Sequence, residues 1–326
     1  MFISETESAA LITPELAYQA VHDALIAATG EDSRVFPAII AQRSPMDNRF
    51  SVKAAMTPQI SGAKMGFYWL TNKAIGLPAH NSVIILIDQM LGKVGAVIEA
   101  GEVNCYRTAA ADAVAVAALA RTGAKVLTVF GAGHQAEYEI QAIRKVRSIE
   151  QVLIVNRSAH AAITLVKTLR AQGIHAEAVD AQTGCAAADI ITTVTPSRAP
   201  LFKAEWIKPG THISAMGADA EGKQELPPAL LANARLFCDL PSQSIRIGEY
   251  QHLAASASAS ASASSCVVNT SPIAIGEVLS GRVGGRPQGK EGDALTTIFD
   301  SSGIAIQDLY VGEAILEKFK EKQSYL

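Results

Sequence analysis

The chain has 326 residues, 49% of them hydrophobic, enough to bury the cores of two domains, and its formal net charge of −3 weighs against a nucleic-acid-binding surface. Its four cysteines, Cys105, Cys185, Cys238 and Cys266, lie far apart with no Cys-x-x-Cys spacing, so neither a zinc site nor a disulfide framework is expected and no metal is assigned. The acidic stretch from Met1 to Glu7 lacks the basic and apolar regions of a signal peptide, and no apolar run approaches the roughly 20 residues that span a bilayer, so the reading is a cytoplasmic protein without a membrane partner.

Thr13, followed by Pro14 and Glu15, is a helix N-cap, and Leu16, Ala20, Val21, Ala24 and Leu25 recur at helical spacing, which predicts an amphipathic helix ending near Gly30. Strand-like segments follow at Arg49 to Met56, Gly62 to Leu70 and Ser82 to Asp88. The last of these pairs with Val94 to Glu99 across Met-Leu-Gly-Lys. The first third is therefore antiparallel β with a helix. A long helix is expected from about Asn104 to Arg121, after which the pattern changes to βα alternation.

A buried strand from Val126 to Phe130 precedes a helix bearing Ile140, Ala142, Ile143 and Val146, and Val152 to Val155 closes a βαβ unit. Further strands are expected at Val179 to Asp180, Ile190 to Thr193, His212 to Ser214, Leu236 to Cys238 and Thr297 to Asp300. The Ala-Ser alternation from Ala254 to Ser265 reads as a mobile loop or linker. Ser302 to Phe319 reads as a C-terminal helix that returns to the first domain, with Gly303 as a hinge. The fold class is α/β: a Rossmann-type doubly wound, mostly parallel sheet over 121–302 and a smaller α+β domain over 1–120, completed by 303–326.

The strand at Val126 runs into Gly131-Ala132-Gly133-His134-Gln135-Ala136, a Gly-x-Gly-x-x-Ala turn that binds a dinucleotide. Gly131 permits the tight turn, Gly133 lets the backbone approach a pyrophosphate, and Ala136 allows close packing of helix on sheet. His134 and Gln135 open the helix whose N-terminal N–H groups hold phosphate. After the second strand an NAD site usually carries Asp or Glu, and this chain has Asn156-Arg157-Ser158 instead. A guanidinium and a hydroxyl suit a 2′-phosphate, so the expected cofactor is NADPH rather than NADH. Thr193, Thr195 and Met216 follow later strands at the same edge and are assigned to the cofactor surface.

In the first domain Arg43, Arg49, Lys64 and Arg107 lie near elements that can line a cleft. Arg107, in the first turn of the expected long helix, combines its charge with the helix dipole to attract an anion. Lys64 sits among residues that otherwise look buried, and a charge in such company needs a partner or a function. His80 precedes the hairpin and is a candidate for the cleft. In the second domain Asp219 follows an apolar strand at the edge where doubly wound sheets bind ligands, placed to exchange a proton with a substrate nitrogen. Glu221 to Glu225 after it reads as a solvated turn.

Gly62-Ala63-Lys64, Arg107-Thr108-Ala109-Ala110, Gly131 to Ala136, Gly217-Ala218-Asp219 and Gly222-Lys223-Gln224-Glu225 resemble, in order and spacing over nearly the whole chain, the ornithine cyclodeaminase and mu-crystallin family. The resemblance implies a homodimer built by the first domain and the C-terminal helix, with each subunit's active site between that domain and its Rossmann domain. It also implies that Arg43, Lys64 and Arg107 are the substrate-carboxylate and catalytic side chains and that Asp219 engages the reacting nitrogen. The cyclodeaminases of the family have an acidic residue after the second strand, whereas Asn156-Arg157-Ser158 resembles its NADPH-using ketimine reductases. The implied reaction is reduction of a cyclic imino acid, Δ1-pyrroline-2-carboxylate to proline or Δ1-piperideine-2-carboxylate to pipecolate. Ornithine cyclodeamination, alanine dehydrogenation and ligand carriage of the mu-crystallin type are the alternatives within the same resemblance.

Overall fold

The computed structural model of the chain describes residues 1–43, 48–253 and 271–324, so the Ala-Ser segment lies outside the described residues. The chain divides into two units, Met1–Ala110 with Gly303–Leu326, and Ala111–Ser302. The first division falls inside the long helix rather than after it at 120.

Unit 1 starts with β1 (Phe2–Ile3), α1 (Glu5–Leu11) and α2 (Pro14–Ala27). Two local devices set these helices: a Ser4–Glu7 capping box opens α1, and the Thr13 side chain accepts from Leu16 N at 3.1 Å to open α2. Strands β2 (Arg34–Val35), β3 (Ile39–Arg43), β4 (Asn48–Met56), β5 (Ser61–Tyr68), β6 (His80–Asp88) and β7 (Lys93–Glu99) follow. They form a sheet of order β1-β7-β6-β5-β4-β2, with β3 also on β4; β1 pairs in parallel and all the other pairs are antiparallel. The two-residue period of β5 turns Gly62, Lys64 and Gly66 to a covered face and leaves Ala63, Met65 and Phe67 half-buried on the other. The C-terminal helix (Ala305–Ser324) packs on β4, β5, β6 and α2. Hydrophobic periodicity missed β1, β2 and β3, because two to five residues give too short a window for a period.

Helix α3 (Gly101–Leu119) begins a turn earlier than its apolar pattern suggests. Its N-terminus is capped from another element: Glu5 of α1 accepts from Gly101 N at 2.8 Å and Glu102 N at 2.7 Å. Arg107 therefore lies in the second turn, where the helix dipole contributes little. The first-turn position expected for Arg107, and the dipole argument built on it, are overturned.

Unit 2 is a doubly wound sheet of order β10-β9-β8-β11-β12-β15-β13-β14, every described pairing parallel. Its strands are β8 (Val126–Phe130), β9 (Gln151–Val155), β10 (Ala176–Ala178), β11 (Ile190–Thr193), β12 (His212–Ala215), β13 (Arg235–Cys238), β14 (Ile273–Ala274) and β15 (Thr297–Asp300). Helices α4 (His134–Val146), α5 (Ala159–Ala171) and α6 (Ala181–Ala187) supply connections. The strand expected at Val179 to Asp180 lies earlier, because Asp180 caps α6 by accepting from Thr183 N at 2.9 Å. Strand order reverses between β8 and β11, and such a switch point is where doubly wound sheets open a crevice at their carboxyl ends. Cys105, Cys185 and Cys238 are buried free thiols. Among the described residues no helix is long and apolar enough to cross a membrane, and no group of His, Cys, Asp and Glu is arranged to hold a metal.

Candidate active site

Unit 1 gathers charge around one buried carboxylate. Lys64 on β5 is 7% exposed, Arg107 on α3 is 6% exposed, and Asp308 in the first turn of the C-terminal helix is 2% exposed. Lys64 Nζ lies 3.2 Å from Asp308 Oδ1. Arg107 Nε lies 2.9 Å from the same oxygen as an ion pair, without an aligned hydrogen bond. Asn104, one helical turn before Arg107, accepts from Arg107 Nη2 at 2.8 Å and also from Lys64 Nζ. Gln307 accepts from Arg107 Nη1 at 3.4 Å, and Lys53 donates to Gly303 O at 2.7 Å. The Glu5 cap on α3 thus fixes the start of the helix whose first two turns carry Asn104 and Arg107.

The electrostatics follow from burial opposed by charge. Burial lowers the Lys64 pKa, Asp308 opposes it, Arg107 and Lys53 add to it, and the outcome is a pKa of about 8. Burial would raise the Asp308 carboxyl, but Arg107, Lys64 and Lys53 outweigh it and hold the group below the usual carboxylate range. Among the described residues, buried Gln307 Nε2 has no hydrogen-bond partner, although its amide is bonded to Arg107 through oxygen. An unpaired buried donor beside a guanidinium and an ammonium suits an incoming anion, and a carboxylate in particular.

Two other first-domain candidates are placed by strand register. Arg43 ends β3 opposite Asn48, and its side chain lies outside the described residues. His80 opens β6 opposite Tyr68 and is exposed.

In unit 2 the glycine turn sits at the carboxyl end of β8 beside the switch point, with Gly131 N donating to Val155 O at 2.9 Å. Gly131 has φ of +125°, and a Cβ there would meet Val194 O at 2.9 Å, so both conformation and space exclude other residues. Gly133 is the N-cap of α4 with no side-chain capping bond, and a Cβ there would meet nothing within 4 Å. The turn fits a dinucleotide pyrophosphate: space lies open at Gly133, where the N-terminal turn of α4 begins. Ala136 is fully buried against the sheet, His134 is exposed edge-on to Tyr138 at 5.1 Å, and Gln135 donates to Glu139 Oε1 at 2.9 Å.

After β9, Asn156 donates to Ser158 O at 3.0 Å and the Ser158 hydroxyl accepts from Ala161 N at 3.3 Å, capping α5. Arg157 between them is exposed. Buried Met216 continues β12, its N–H donating to Thr193 O at 2.9 Å. The hydroxyls of Thr193 and Thr195 donate to Glu225 at 2.8 and 2.7 Å. Asp219 Oδ1 lies 2.5 Å from Lys223 Nζ, which also donates to Gly217 O at 2.9 Å.

The stretch expected as a solvated turn is instead partly interior. Lys223 is 8% exposed and Glu225 fully buried. Glu225 accepts from Gly217 N at 2.8 Å and Thr195 N at 2.7 Å, tying together the loops after β11 and β12. Burial pushes its carboxyl above the usual range, although the Thr195 and Thr193 donors pull it down. Sequence reasoning also missed Asp308 and Asn104. An acid in the apolar run Ile304 to Leu309 was the available signal for Asp308; Asn104 gave none.

Residues 13–323 match the family model described as Ornithine cyclodeaminase/mu-crystallin family. The chain is 36% identical over 325 residues to the iminosuccinate reductase of Paracoccus denitrificans, covering 99% of this chain and 97% of that protein. The crystal structure of that reductase in complex with NAD+ matches with a TM-score of 0.87 at 35% identity, covering 99% and 97% of the two chains. An archaeal alanine dehydrogenase dimer with bound NAD matches with a TM-score of 0.89 at 31% identity, covering 99% and 97%. A Δ1-pyrroline-2-carboxylate reductase of Bacillus cereus is 31% identical over 256 residues, 77% of this chain and 75% of that protein.

Proposed function

Because the chain belongs to the ornithine cyclodeaminase/mu-crystallin family, we propose that it is a nicotinamide-dependent oxidoreductase that reduces the C=N carbon of an α-imino carboxylate, with NADPH as reductant. The observation that carries this reading is the buried Lys64–Arg107–Asp308 cluster with the unpaired Gln307 donor beside it, in a chain with a dinucleotide turn. NADPH supplies the hydride. Arg107 and Lys64 grip the carboxylate, and Lys64, with its pKa drawn to about 8, is also able to exchange a proton near neutrality. Asp219 is assigned to the imine nitrogen, where a carboxylate stabilises the iminium whose charge disappears on reduction.

Two kinds of substrate suit this chemistry. Δ1-Pyrroline-2-carboxylate brings one carboxylate and yields proline. A dicarboxylic imine such as iminosuccinate brings two, and the cations facing Asp308, namely Arg107, Lys64 and Lys53, outnumber it three to one. That excess, with the 36% identity across 97% of an iminosuccinate reductase, favours the dicarboxylic imine as a second reading. The deciding assay offers purified protein the pyrroline and piperideine carboxylates, oxaloacetate with ammonium, pyruvate with ammonium, and ornithine, each with both cofactors. Oxidation of reduced cofactor by an imine supports the proposal. Ammonia release from ornithine, or no turnover of any imine, overturns it.

Replacing Arg157 by Ala is expected to raise the NADPH Kd about 10- to 30-fold, the loss of one charge-assisted contact, while NADH binding stays within about twofold. Equal effects on both cofactors, or tighter NADH binding by the parent protein, would remove Arg157 from cofactor selection.

The pH dependence has a definite sign. Free Lys64 keeps its charge below pH about 8 and loses it above, so kcat/KM for the imine falls on the alkaline side of that value. Lys64→Arg should remove the fall. The same alkaline limb in both proteins would assign it to another group.

We also propose a homodimer through the sheet face that the helices of unit 1 leave uncovered. Phe50, Val52, Met65, Phe67, Val83 and Ile85 alternate onto this face and are exposed or half-buried. Light scattering should give twice the 34.3 kDa chain mass, and Met65→Lys should give the monomer. A monomeric parent protein would refute this.

A further inference from the structure

In unit 2 two buried carboxyl groups meet beside the helix that follows the dinucleotide turn. Asp112 lies on α3 and Glu139 on α4, each 0% exposed. One turn along α3, Val116 shares an apolar core with Ile140 and Ile143 of α4 and with Leu127 and Val129 of β8, surroundings that screen charge poorly. Asp112 Oδ2 accepts from the Thr192 hydroxyl of β11 at 2.9 Å, and Ser214 of β12 and Glu139 are further side-chain hydrogen-bond partners of the Asp112 carboxyl. Asp112 Oδ1 is buried without an N–H or hydroxyl partner. Glu139 in turn accepts from Gln135 Nε2 at 2.9 Å. Behind Ser214, His212 Nε2 lies 3.2 Å from its hydroxyl, and burial, with Arg286 and Arg147, lowers the His212 pKa well below the usual value and keeps the ring neutral.

A carboxylate oxygen only accepts, so two carboxylates cannot hydrogen-bond to each other, whereas a carboxyl that keeps its proton donates to one that has lost it. Two adjacent anions among hydroxyls, an amide and a neutral imidazole would incur desolvation twice and repulsion besides. Burial accordingly raises the Asp112 carboxyl to about 6, against the opposing bonds from Ser214, Thr192 and Glu139. Glu139 is the sixth residue of α4, about 9 Å along the helix from the Gly133 cap. Thr192 pairs with Val129 on the two strands that flank the switch point, so the network ties α4 to β11 where strand order reverses.

From this network we infer that Asp112 and Glu139 share one proton and are positioning residues of the dinucleotide turn, holding Gln135 and the first two turns of α4 against β11. The inference rests on the dinucleotide reading of that turn. Both residues act through α4 rather than on the cofactor. The folded chain holds a proton that the unfolded chain releases at the ordinary carboxylate pKa, so this contribution to stability is full at low pH and declines as pH rises through the folded value. A pyrophosphate at the N-terminus of α4 favours the protonated pair over two anions, so cofactor binding weakens as the proton is lost.

The test replaces Glu139 by Gln, whose amide accepts from Gln135 and donates to Asp112 with no proton needed, and Asp112 by Asn. Infrared difference spectra, parent minus variant at pH about 5, should show the carbonyl stretch of a protonated carboxyl lost in each single variant. A band lost in only one variant, or in neither, overturns the shared proton. From pH about 5 to about 8 the parent's Kd for NADP+ should rise about 3- to 10-fold more than that of Glu139→Gln, the two agreeing within about twofold at the acid end. Parallel Kd profiles make the pair structural only and overturn its positioning role. If the parent protein binds no dinucleotide at any pH, the dinucleotide reading fails and the positioning role with it, while the infrared spectra still decide the shared proton.

Discussion

Valine at position 133 should abolish dinucleotide binding while leaving the protein folded. Gly133 has φ −85° and ψ −179°, extended backbone that any residue adopts, and a Cβ there meets no protein atom within 4 Å. The substituted side chain therefore enters no occupied space and costs at most about 1 kcal/mol of N-cap preference. It occupies instead the approach to the first turn of α4, the place proposed for the cofactor pyrophosphate. The expected result is a rise of at least about 100-fold in cofactor Kd, with Tm within about 2 °C of the parent. Gly131 would not serve, because its positive φ and the nearby Val194 carbonyl make any substitution a folding defect as well. Parent-like affinity in Gly133→Val would show that the phosphates bind elsewhere.

Arg107→Ala should lower kcat/KM by about 1,000-fold or more, the largest effect expected of any side chain in the unit 1 cluster. The guanidinium is paired with buried Asp308, hydrogen-bonded to Asn104 and Gln307, and adjacent to the unpaired Gln307 donor. Removing it leaves a carboxylate buried beside one fewer cation, which costs about 3–5 kcal/mol, a large part of a typical domain's stability. Two further measurements separate catalysis from folding. Arg107→Lys keeps the charge but not the fork, and should lose about 10- to 100-fold with Tm largely retained. Added guanidinium should restore part of the Arg107→Ala activity by entering the vacated space. An Arg107→Lys protein with unchanged kinetics would remove Arg107 from carboxylate binding.

What could be read from the sequence divides by range. The Gly131 turn was legible because it is local: strand, glycines and helix lie within about twenty consecutive residues, and each residue type answers a nearby backbone requirement. The same holds for the Thr13 cap and the period-two alternation that turns Lys64 to the covered face. Asp180 shows where local reading failed, since β propensity in Val179 was weaker than the capping bond Asp180 makes to α6. Glu225 shows a second kind of failure. A glutamate in a polar loop reads as solvated until the loops after β11 and β12 bring Thr193, Thr195 and Gly217 around it.

By itself the sequence determined the α/β class, the dinucleotide turn, the Arg157 position after the second strand, and the presence of cations that needed an anion. Tertiary structure alone decided what those cations face. Arg107 meets Gln307 across 200 residues of chain, and Asp308 meets Lys64 only because the C-terminal helix returns to the first sheet. The cap that fixes α3 likewise comes from Glu5. The reason is physical: propensities, caps and turns act over one or two helical turns, whereas ion pairing and burial depend on distance in space, which the chain path sets only once it has folded.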